Sequence, residues 1–356
     1  MQAADMEIKR GAVQTATPAH AATQAPSPHR EDLSSLSWCA DEIHHSLDQI
    51  EQTLGKALEG GGDLSQVSAA RALLHQVHGA LAMLALAGPQ QLAAEAETLL
   101  DKVQAGDMVL DAEMSSALAG AFNAINEYLA ELLRGMPQQP LYLYPFLRDL
   151  MALRNADRIH PADLFFPRLD VAAPESLALQ PIDEDARKRV RGRFEAGLLR
   201  TLRTPQDRQS ASEMLAAVEI VEHSELAATN PLFWSVLPAF FRALISGEAD
   251  LDVHGKRLLA RLNLQLRRTL ADGSPVSERL LRDTLFSIAC ARPQSEALKA
   301  VFERFDLAGR VPRDVDTPRY GQVDKRAMRD VAAAVAEMKK SWETMLQSPG
   351  GVDPPG

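Results

Sequence analysis

The segment Ala70–Gly88 of this 356-residue chain reads ARALLHQVHGALAMLALAG. Apolar residues recur in it every three or four positions, which is the spacing of one face of an amphipathic helix. The residues on that face are Ala70, Leu74, Val77, Leu81 and Leu84. The pattern predicts a helix that buries this stripe and turns its other face outward.

Three further stretches with the same periodicity flank this helix, near 36–59, 89–106 and 110–134. Short breaks that contain glycine or proline separate the stretches, and such residues end helices or begin new ones. Four amphipathic helices of similar length with short connections form up-and-down bundles. We therefore expect an all-α protein with a four-helix bundle over about residues 31–136.

The rest of the chain is predicted to be helical as well, although its pattern is less regular. Helices are expected near 141–155, 183–203, 207–224, 231–246, 252–271, 276–291 and 294–305. They make up a second helical domain, 141–310, which we expect to bind other proteins. A final amphipathic helix is expected over 324–347, whereas the leader 1–30 and the tail 348–356 have the composition of disordered segments.

Two apolar segments of the second domain are expected to be buried. The segment NPLFWSVLPAFFRAL (Asn230–Leu244) is the most apolar part of the chain, so we expect it at the centre of this domain, with a kink at Pro238. If Phe165 and Phe166 were exposed, they would form a hydrophobic surface patch that favours aggregation. We therefore expect this pair to fill an apolar groove.

Composition and charge limit the classes of partner. Asp and Glu outnumber Lys and Arg by 48 to 38, so the net charge is −10, and nucleic acid is not an expected partner. The basic run Ala186–Arg193 has acidic neighbours and fits a charged helix face. No stretch approaches the ~18 apolar residues of a membrane span, and Cys39 and Cys290 lack the spacing of metal ligands. A cytoplasmic protein without cofactor or metal is expected.

A second face of the predicted helix carries the residues that suggest a function. Beside the apolar stripe lie Arg71, His75, His78, Gly79 and Ala82. Glycine inside a helix costs about 0.5–1 kcal/mol relative to alanine, so either another helix packs closely at Gly79 or a partner approaches His75 there. A neutral imidazole is a competent nucleophile near pH 7, and it could accept a phosphoryl group from an aspartyl phosphate of another protein.

The segment LHQVHGALAML (Leu74–Leu84) resembles the signature of histidine-phosphotransfer (Hpt) domains: a histidine, any residue, an aliphatic residue, a lysine and a glycine. The resemblance places His75 at the phosphoacceptor position and Gly79 at the glycine. Two positions depart from the signature. His78 stands where the family has lysine, and Ala85 stands where many members have a later glycine. A histidine is charged only part of the time at neutral pH, so it would hold phosphate more weakly than lysine.

Longer stretches are similar to the amino-terminal region of CheA-type hybrid kinases of type IV pilus chemosensory systems, and to the FimL scaffold family. These stretches are 74–100, 128–169, 194–203 and 232–270. The resemblance, which covers roughly 50–310, implies a part in twitching motility or surface sensing. The glycine-rich nucleotide boxes of a kinase are not found in the sequence, so a phosphocarrier or a scaffold is expected rather than an enzyme.

Two functions fit these observations. In the first, the chain is an Hpt-type relay protein on which response-regulator receivers dock, and His75 accepts a phosphoryl group. The expected docking residues are Arg71, His78, Gly79 and Ala82. A CheA-type kinase is then a further expected partner. In the second, the bundle is a scaffold that has lost this chemistry and binds receivers or polar-localisation proteins. The sequence specifies neither the receiver nor the oligomeric state.

The other histidines and carboxylates have simpler interpretations. One face of the first helix carries residues at the spacing of metal ligands, namely Asp41, His44, Asp48 and Glu51. A solvated polar face is the simpler explanation of this spacing. Three histidines are isolated in the sequence, and we expect structural or surface roles for them: His160, His223 and His254.

Overall fold

The computed structural model describes residues 34–172, 180–204, 207–321 and 334–342. Within these ranges the regular structure is helical, apart from an isolated bridge between Gln180 and Ser224, and the predicted all-α class is confirmed. The segment 334–342 of the predicted last helix is helical and exposed. The rest of that helix, the predicted leader and the predicted tail lie outside the described residues.

Eleven α-helices follow one another along the described part of 34–321. They are α1 (Ser34–Glu59), α2 (Leu64–Met83), α3 (Ala87–Gln104), α4 (Ala112–Leu133), α5 (Tyr144–Leu153), α6 (Glu184–Arg203), α7 (Arg208–Glu222), α8 (Pro231–Ser246), α9 (Val253–Asp272), α10 (Glu278–Ala289) and α11 (Glu296–Phe305). Short 3-10 turns lie at Pro140–Leu143, Pro161–Leu164 and Glu225–Thr229. Among the described helices, none combines the length and the apolar composition that crossing a bilayer requires.

Helices α1 to α4 pack as a four-helix bundle. α2 lies between α1 and α3, and α4 contacts both α1 and α3, which closes the bundle. The apolar positions predicted to face inward are buried, among them Leu47, Ile50, Leu74, Leu81, Leu99, Phe122 and Ile125. Leu58 and Leu84, which lie at the ends of their helices, are only partly buried.

The sequence explains where α2 begins and ends. The Asp63 side chain accepts a hydrogen bond from the Ser65 backbone N at 2.9 Å, which satisfies a free N–H group of the first turn. Just after the helix, Ala85 has a φ of 53°, a left-handed conformation that favours glycine. Ala85 is also the position at which the Hpt resemblance expects a glycine, so the backbone there has the shape that the missing glycine would suit.

The helix that follows the bundle packs back onto it. α5 contacts α3 and α4, and Arg154, next to the end of α5, pairs with both carboxylate oxygens of the buried Glu95 on α3. Removing Arg154 would leave a buried charge without its partner, which is strongly destabilising. The apolar core is continuous through α5, and the predicted domain division at 136–141 stays a prediction.

α8 lies at the centre of the second half, as predicted. Helices α7, α10 and α11 contact it, and Pro238 lies inside it. Its large buried side chains are Phe233, Trp234, Leu237, Phe240 and Phe241. Phe165 is also buried, with its ring centroid 5.5 Å from that of Phe286, and Phe166 is partly buried against the same core. The expected burial is therefore confirmed for Phe165 and met in part by Phe166.

Four basic residues of the run 186–193 are paired with carboxylates. Arg191 Nε lies 2.9 Å from Glu195 Oε1 on the same helix, and Arg193 Nε lies 2.5 Å from Glu213 Oε2 on α7. The run is therefore a charged helix face, as its acidic neighbours predict.

His160 and His254, which are isolated in the sequence, lie together in the fold. Their ring centroids are 4.5 Å apart, because the turn that contains His160 lies against α9 and α10. The His160 ring is buried, and its Nδ1 accepts a hydrogen bond from the Ala162 backbone N at 3.0 Å. Nδ1 can accept this bond only when it carries no proton. The folded protein therefore holds this imidazole neutral.

A buried ion-pair cluster lies beside the two rings. Asp283 of α10 is 1% exposed and pairs with Arg158 in a bidentate manner and with Arg261 of α9. Burial lowers the pKa of His160 to about 3; the charge of Asp283 opposes this effect, whereas Arg158 adds to it. The cluster joins the loop after α5 to the second half of the chain.

We expect the stability of the fold to fall in acid because of His160. The unfolded chain protonates this imidazole below its ordinary pKa of 6.5, whereas the folded chain resists protonation until about pH 3. The free energy that the neutral His160 contributes to folding is therefore fully present above pH 6.5. It is lost as the pH falls towards 3, by up to ~1.4 kcal/mol per pH unit. Urea unfolding of the wild type and of His160→Asn across this range measures the difference. Asparagine keeps an acceptor for Ala162 but does not titrate, so parallel pH profiles would contradict the expectation.

Candidate functional site

Burial of the apolar stripe fixes which face of α2 is exposed. The predicted stripe residues Ala70, Leu74, Val77 and Leu81 are buried between α1 and α3. Successive residues of a helix are rotated by about 100°, so the positions next to the stripe lie on the side of α3 and on the outer surface. The predicted site residues occupy these positions, and we call them the α2 surface: Arg71, His75, His78, Gly79 and Ala82.

His75 presents its imidazole to solvent on this surface. Its side chain is 66% exposed, and its Nδ1 lies 2.8 Å from Oε1 of Glu97 on α3. A carboxylate accepts hydrogen bonds, so this contact places a proton on Nδ1 and leaves the lone pair on Nε2 in the neutral ring. The exposure that the sequence predicts for His75 is observed, and the structure adds a defined orientation of the ring.

The same carboxylate holds a second imidazole. Nδ1 of His78 lies 3.0 Å from Oε2 of Glu97. The His78 side chain is 27% exposed and that of Glu97 is 10% exposed. The two rings meet edge to face with their centroids 6.4 Å apart. Each oxygen of Glu97 therefore accepts a hydrogen bond from one histidine, and the carboxylate fixes both rings relative to α3.

Arg71 lies one turn before His75 and extends the cluster. Its Nε is 2.8 Å from Oδ1 of Asp101, and its Nη2 is 3.3 Å from Oε1 of Glu97. Burial alone would raise the pKa of Glu97, but the hydrogen bonds from His78 and His75 and the charge of Arg71 outweigh burial, so the pKa lies below its ordinary value. Glu97 is therefore ionised at neutral pH and accepts the two histidine hydrogen bonds as a carboxylate.

The α2 surface is open at Gly79. A Cβ atom added at this residue would meet no atom within 4 Å in the described part of the chain, so close packing of another helix does not explain the glycine. Ala82 is exposed one turn further on, and Met83 at the end of α2 is 85% exposed. Beyond His75 the surface thus has small side chains at Gly79 and Ala82 and an apolar one at Met83, which suits contact with another protein.

Glu97 is the residue of the site that the sequence analysis does not identify. α2 and α3 are antiparallel neighbours, so residues at similar distances from their connection face each other, and His75 and Glu97 stand in this relation. The sequence does carry one signal for Glu97, since it lies in the mostly apolar segment 92–100. A carboxylate in such a position is rarely buried without a partner.

The remaining candidates have structural roles. On α1, His44 Nε2 lies 3.5 Å from Asp48 Oδ2, an ordinary pair one turn apart. In the described residues, one group of three side chains could ligate a metal ion. It consists of His75, His78 and Glu97 and does not include the α1 residues. His223 follows α7, and its Nδ1 is 2.7 Å from the Glu219 carbonyl oxygen of the last turn.

Two family models match the chain. The model described as the FimL C-terminal domain matches residues 34–143, which contain α1 to α4 and the α2 surface. The model described as the second domain of the FimL scaffold protein matches residues 180–318, which contain α6 to α11. The chain resembles FimL in both of its halves.

One curated relative supports the same likeness. The scaffold protein FimL of Pseudomonas aeruginosa is 24% identical to this chain over 325 residues, which are 88% of this chain and 58% of FimL. The chain thus spans less than two thirds of that protein. No solved structure matches the chain. The predicted likeness to FimL is confirmed, whereas the matched descriptions name no phosphotransfer, and the role of His75 stays a proposal.

Proposed function

We propose that this chain is a signalling scaffold that docks the receiver domain of a response regulator on the α2 surface. The observation that carries the proposal is the open space at Gly79 beside an exposed imidazole. A glycine within a helix costs about 0.5–1 kcal/mol, and no described part of the chain packs against it. Gly192 of α6 is equally open, and what distinguishes Gly79 is the exposed imidazole of His75 one turn away, so the proposal places a closely approaching partner here.

Charge on the α2 surface supports a receiver as the partner. The phosphorylated face of a receiver carries a phosphoaspartate, and the guanidinium of Arg71, which is 36% exposed and one turn from His75, is suited to contact such an anion. The exposed Met83 supplies apolar contact area at the edge of the same surface. A protein that binds other proteins in this way needs no catalytic centre, in agreement with the likeness to the scaffold FimL.

The proposal includes the cellular setting that the sequence resemblance implies. That setting is a chemosensory system that controls type IV pili or twitching motility, with a CheA-type kinase as a further partner. The cytoplasm, where receivers and such kinases reside, is the proposed compartment.

Receiver binding tests the docking proposal directly. We expect a receiver from the pilus chemosensory system of the source organism to bind the full chain in isothermal titration calorimetry. Gly79→Leu is expected to weaken binding at least ten-fold, because a Cβ atom at this position points into open space and the leucine side chain that extends from it would block the partner. The melting temperature is expected not to fall, because leucine favours a helix more than glycine does.

Gly192→Leu is the matched control for this experiment. Gly192 lies within α6, is exposed, and also has no atom within 4 Å of an added Cβ. This variant should bind the receiver as the wild type does. Wild-type affinity of Gly79→Leu, or equal losses in the two variants, would contradict docking on the α2 surface.

The geometry of His75 favours a second candidate function, the acceptance of a phosphoryl group. In this step the Nε2 lone pair attacks the phosphorus of an aspartyl phosphate, the new P–N bond forms as the P–O bond breaks, and the aspartate leaves as a carboxylate. The Nδ1 proton stays between the ring and Glu97, whose negative charge balances the imidazolium character of the product. The receiver supplies the metal ion that such transfers use.

Transfer of label tests this second function separately. A ³²P-phosphorylated receiver should pass label to the wild-type chain, and His75→Gln should abolish the transfer. We expect Glu97→Ala to slow it at least ten-fold, because the ring would lose its orientation and the charge that stabilises the product. His44→Gln, on the exposed face of α1, is the control and should leave the rate unchanged.

The label-transfer experiment distinguishes receiver docking from phosphoryl transfer. A wild-type chain that binds the phosphorylated receiver without acquiring label would contradict phosphoryl transfer while supporting the scaffold. Label that still reaches His75→Gln would show that another residue is the acceptor.

A further inference from the structure

We infer that His75, His78 and Glu97 form a binding site for a divalent transition-metal ion of the zinc class. Imidazole nitrogen and carboxylate oxygen are donors that such ions accept, whereas Mg²⁺ and Ca²⁺ prefer sites made of oxygen. One ligand atom of each residue lies within 4.8 Å of the other two. The inference goes beyond receiver docking, because an ion can bind here whether or not a receiver does.

The distances within the cluster need little adjustment to hold an ion. The histidine Nδ1 atoms lie 2.8 and 3.0 Å from the two oxygens of Glu97. Two ligand atoms that are each ~2.1 Å from a tetrahedral zinc ion are roughly 3.4 Å apart, so each pair has to separate by about 0.5 Å. The exposed His75 side chain can make this movement by rotation, while Glu97 remains within the α2–α3 interface.

The charges of the cluster are compatible with a cation. Glu97 is ionised, and each imidazole can coordinate an ion through Nδ1 once its proton has moved to Nε2 by exchange with water, which keeps the ring neutral. Arg71 opposes a cation, because it lies 3.3 Å from Oε1 of Glu97, but Asp101 holds it more closely, at 2.8 Å. Three protein ligands also leave a coordination position open towards the solvent, as in zinc sites that are not purely structural.

An ion at this site would occupy the imidazole that the docking proposal exposes. The ion and a receiver would then compete for the α2 surface, and by thermodynamic linkage each would weaken the binding of the other. The site would thus give the scaffold a means of responding to the supply of a transition metal.

Titration of Zn²⁺ alone into the metal-stripped full chain tests the inference. Calorimetry should show that one Zn²⁺ ion binds tightly to each chain. Co²⁺ in place of Zn²⁺ should give the visible absorption bands of a four-coordinate site. We expect His75→Gln, His78→Gln and Glu97→Gln each to weaken zinc binding at least ten-fold. Circular dichroism and the melting temperature establish that each variant is folded.

Two control variants remove metal-binding groups outside the cluster. His44→Gln removes an imidazole of α1 that pairs with Asp48, and Cys39→Ser removes a partly buried thiol of the same helix. Both should bind zinc as the wild type does. Absence of a bound equivalent in the wild type, unchanged affinity in the three cluster variants, or loss of binding in Cys39→Ser would overturn the metal site. A metal-free chain that binds no receiver would overturn docking alone, since the zinc titration does not involve the receiver.

Discussion

Burial of the apolar stripe of α2 is the constraint on which the arrangement of the candidate site depends. Each fully buried leucine or valine stabilises the fold by about 1.5–3 kcal/mol, and Leu74, Val77 and Leu81 are all buried. Rotation of α2 by one residue would expose this stripe and bury His75. The gain from the stripe exceeds by several-fold the about 0.5–1 kcal/mol that Gly79 costs. The core therefore determines that the two imidazoles lie at the edge facing α3, and Glu97 then determines how their rings point.

Much of the fold could be predicted from the sequence because helix periodicity is a local property. The stripe of α2 and the apolar centre of α8 both follow from spacing and composition over fewer than twenty residues, and α1 and α3 to α11 begin and end within a few residues of their predicted limits. The contacts of charged groups could not be predicted in this way. Glu97 meets His75, Arg154 meets Glu95 and Asp283 meets Arg158 only because particular helices pack together.

The same distinction applies to the histidines. His75 was predicted to be exposed because neighbouring positions on its helix are small or polar, and this is a statement about one helix. The pairing of His160 with His254 depends on how a turn after α5 packs against α9, and no spacing in the sequence indicates it. The structure brings the predicted residues together on one surface of α2 and adds the carboxylate that orients two of them, while their role in docking or transfer stays a prediction.

The two halves of the chain are joined away from the α2 surface. Hydrogen bonds link Gln139 to Gly309 at 2.9 Å and Tyr320 to Glu131 at 2.9 Å, and the buried cluster at Asp283 links the loop after α5 to α9 and α10. These contacts use α4 and the segments that follow it, so they leave the α2 surface open.

The protonation of the His75 ring tests the central claim most directly, because phosphoryl transfer uses the ring orientation that Glu97 imposes and metal binding uses the contact between the ring and Glu97. Nitrogen-15 NMR of the metal-free chain, at a pH where the imidazole is neutral, distinguishes the two ring nitrogens. The structure predicts that the proton lies on Nδ1 of His75 in the wild type and that this preference is lost in Glu97→Ala. A wild-type His75 with its proton on Nε2, or a spectrum that Glu97→Ala leaves unchanged, would contradict the account.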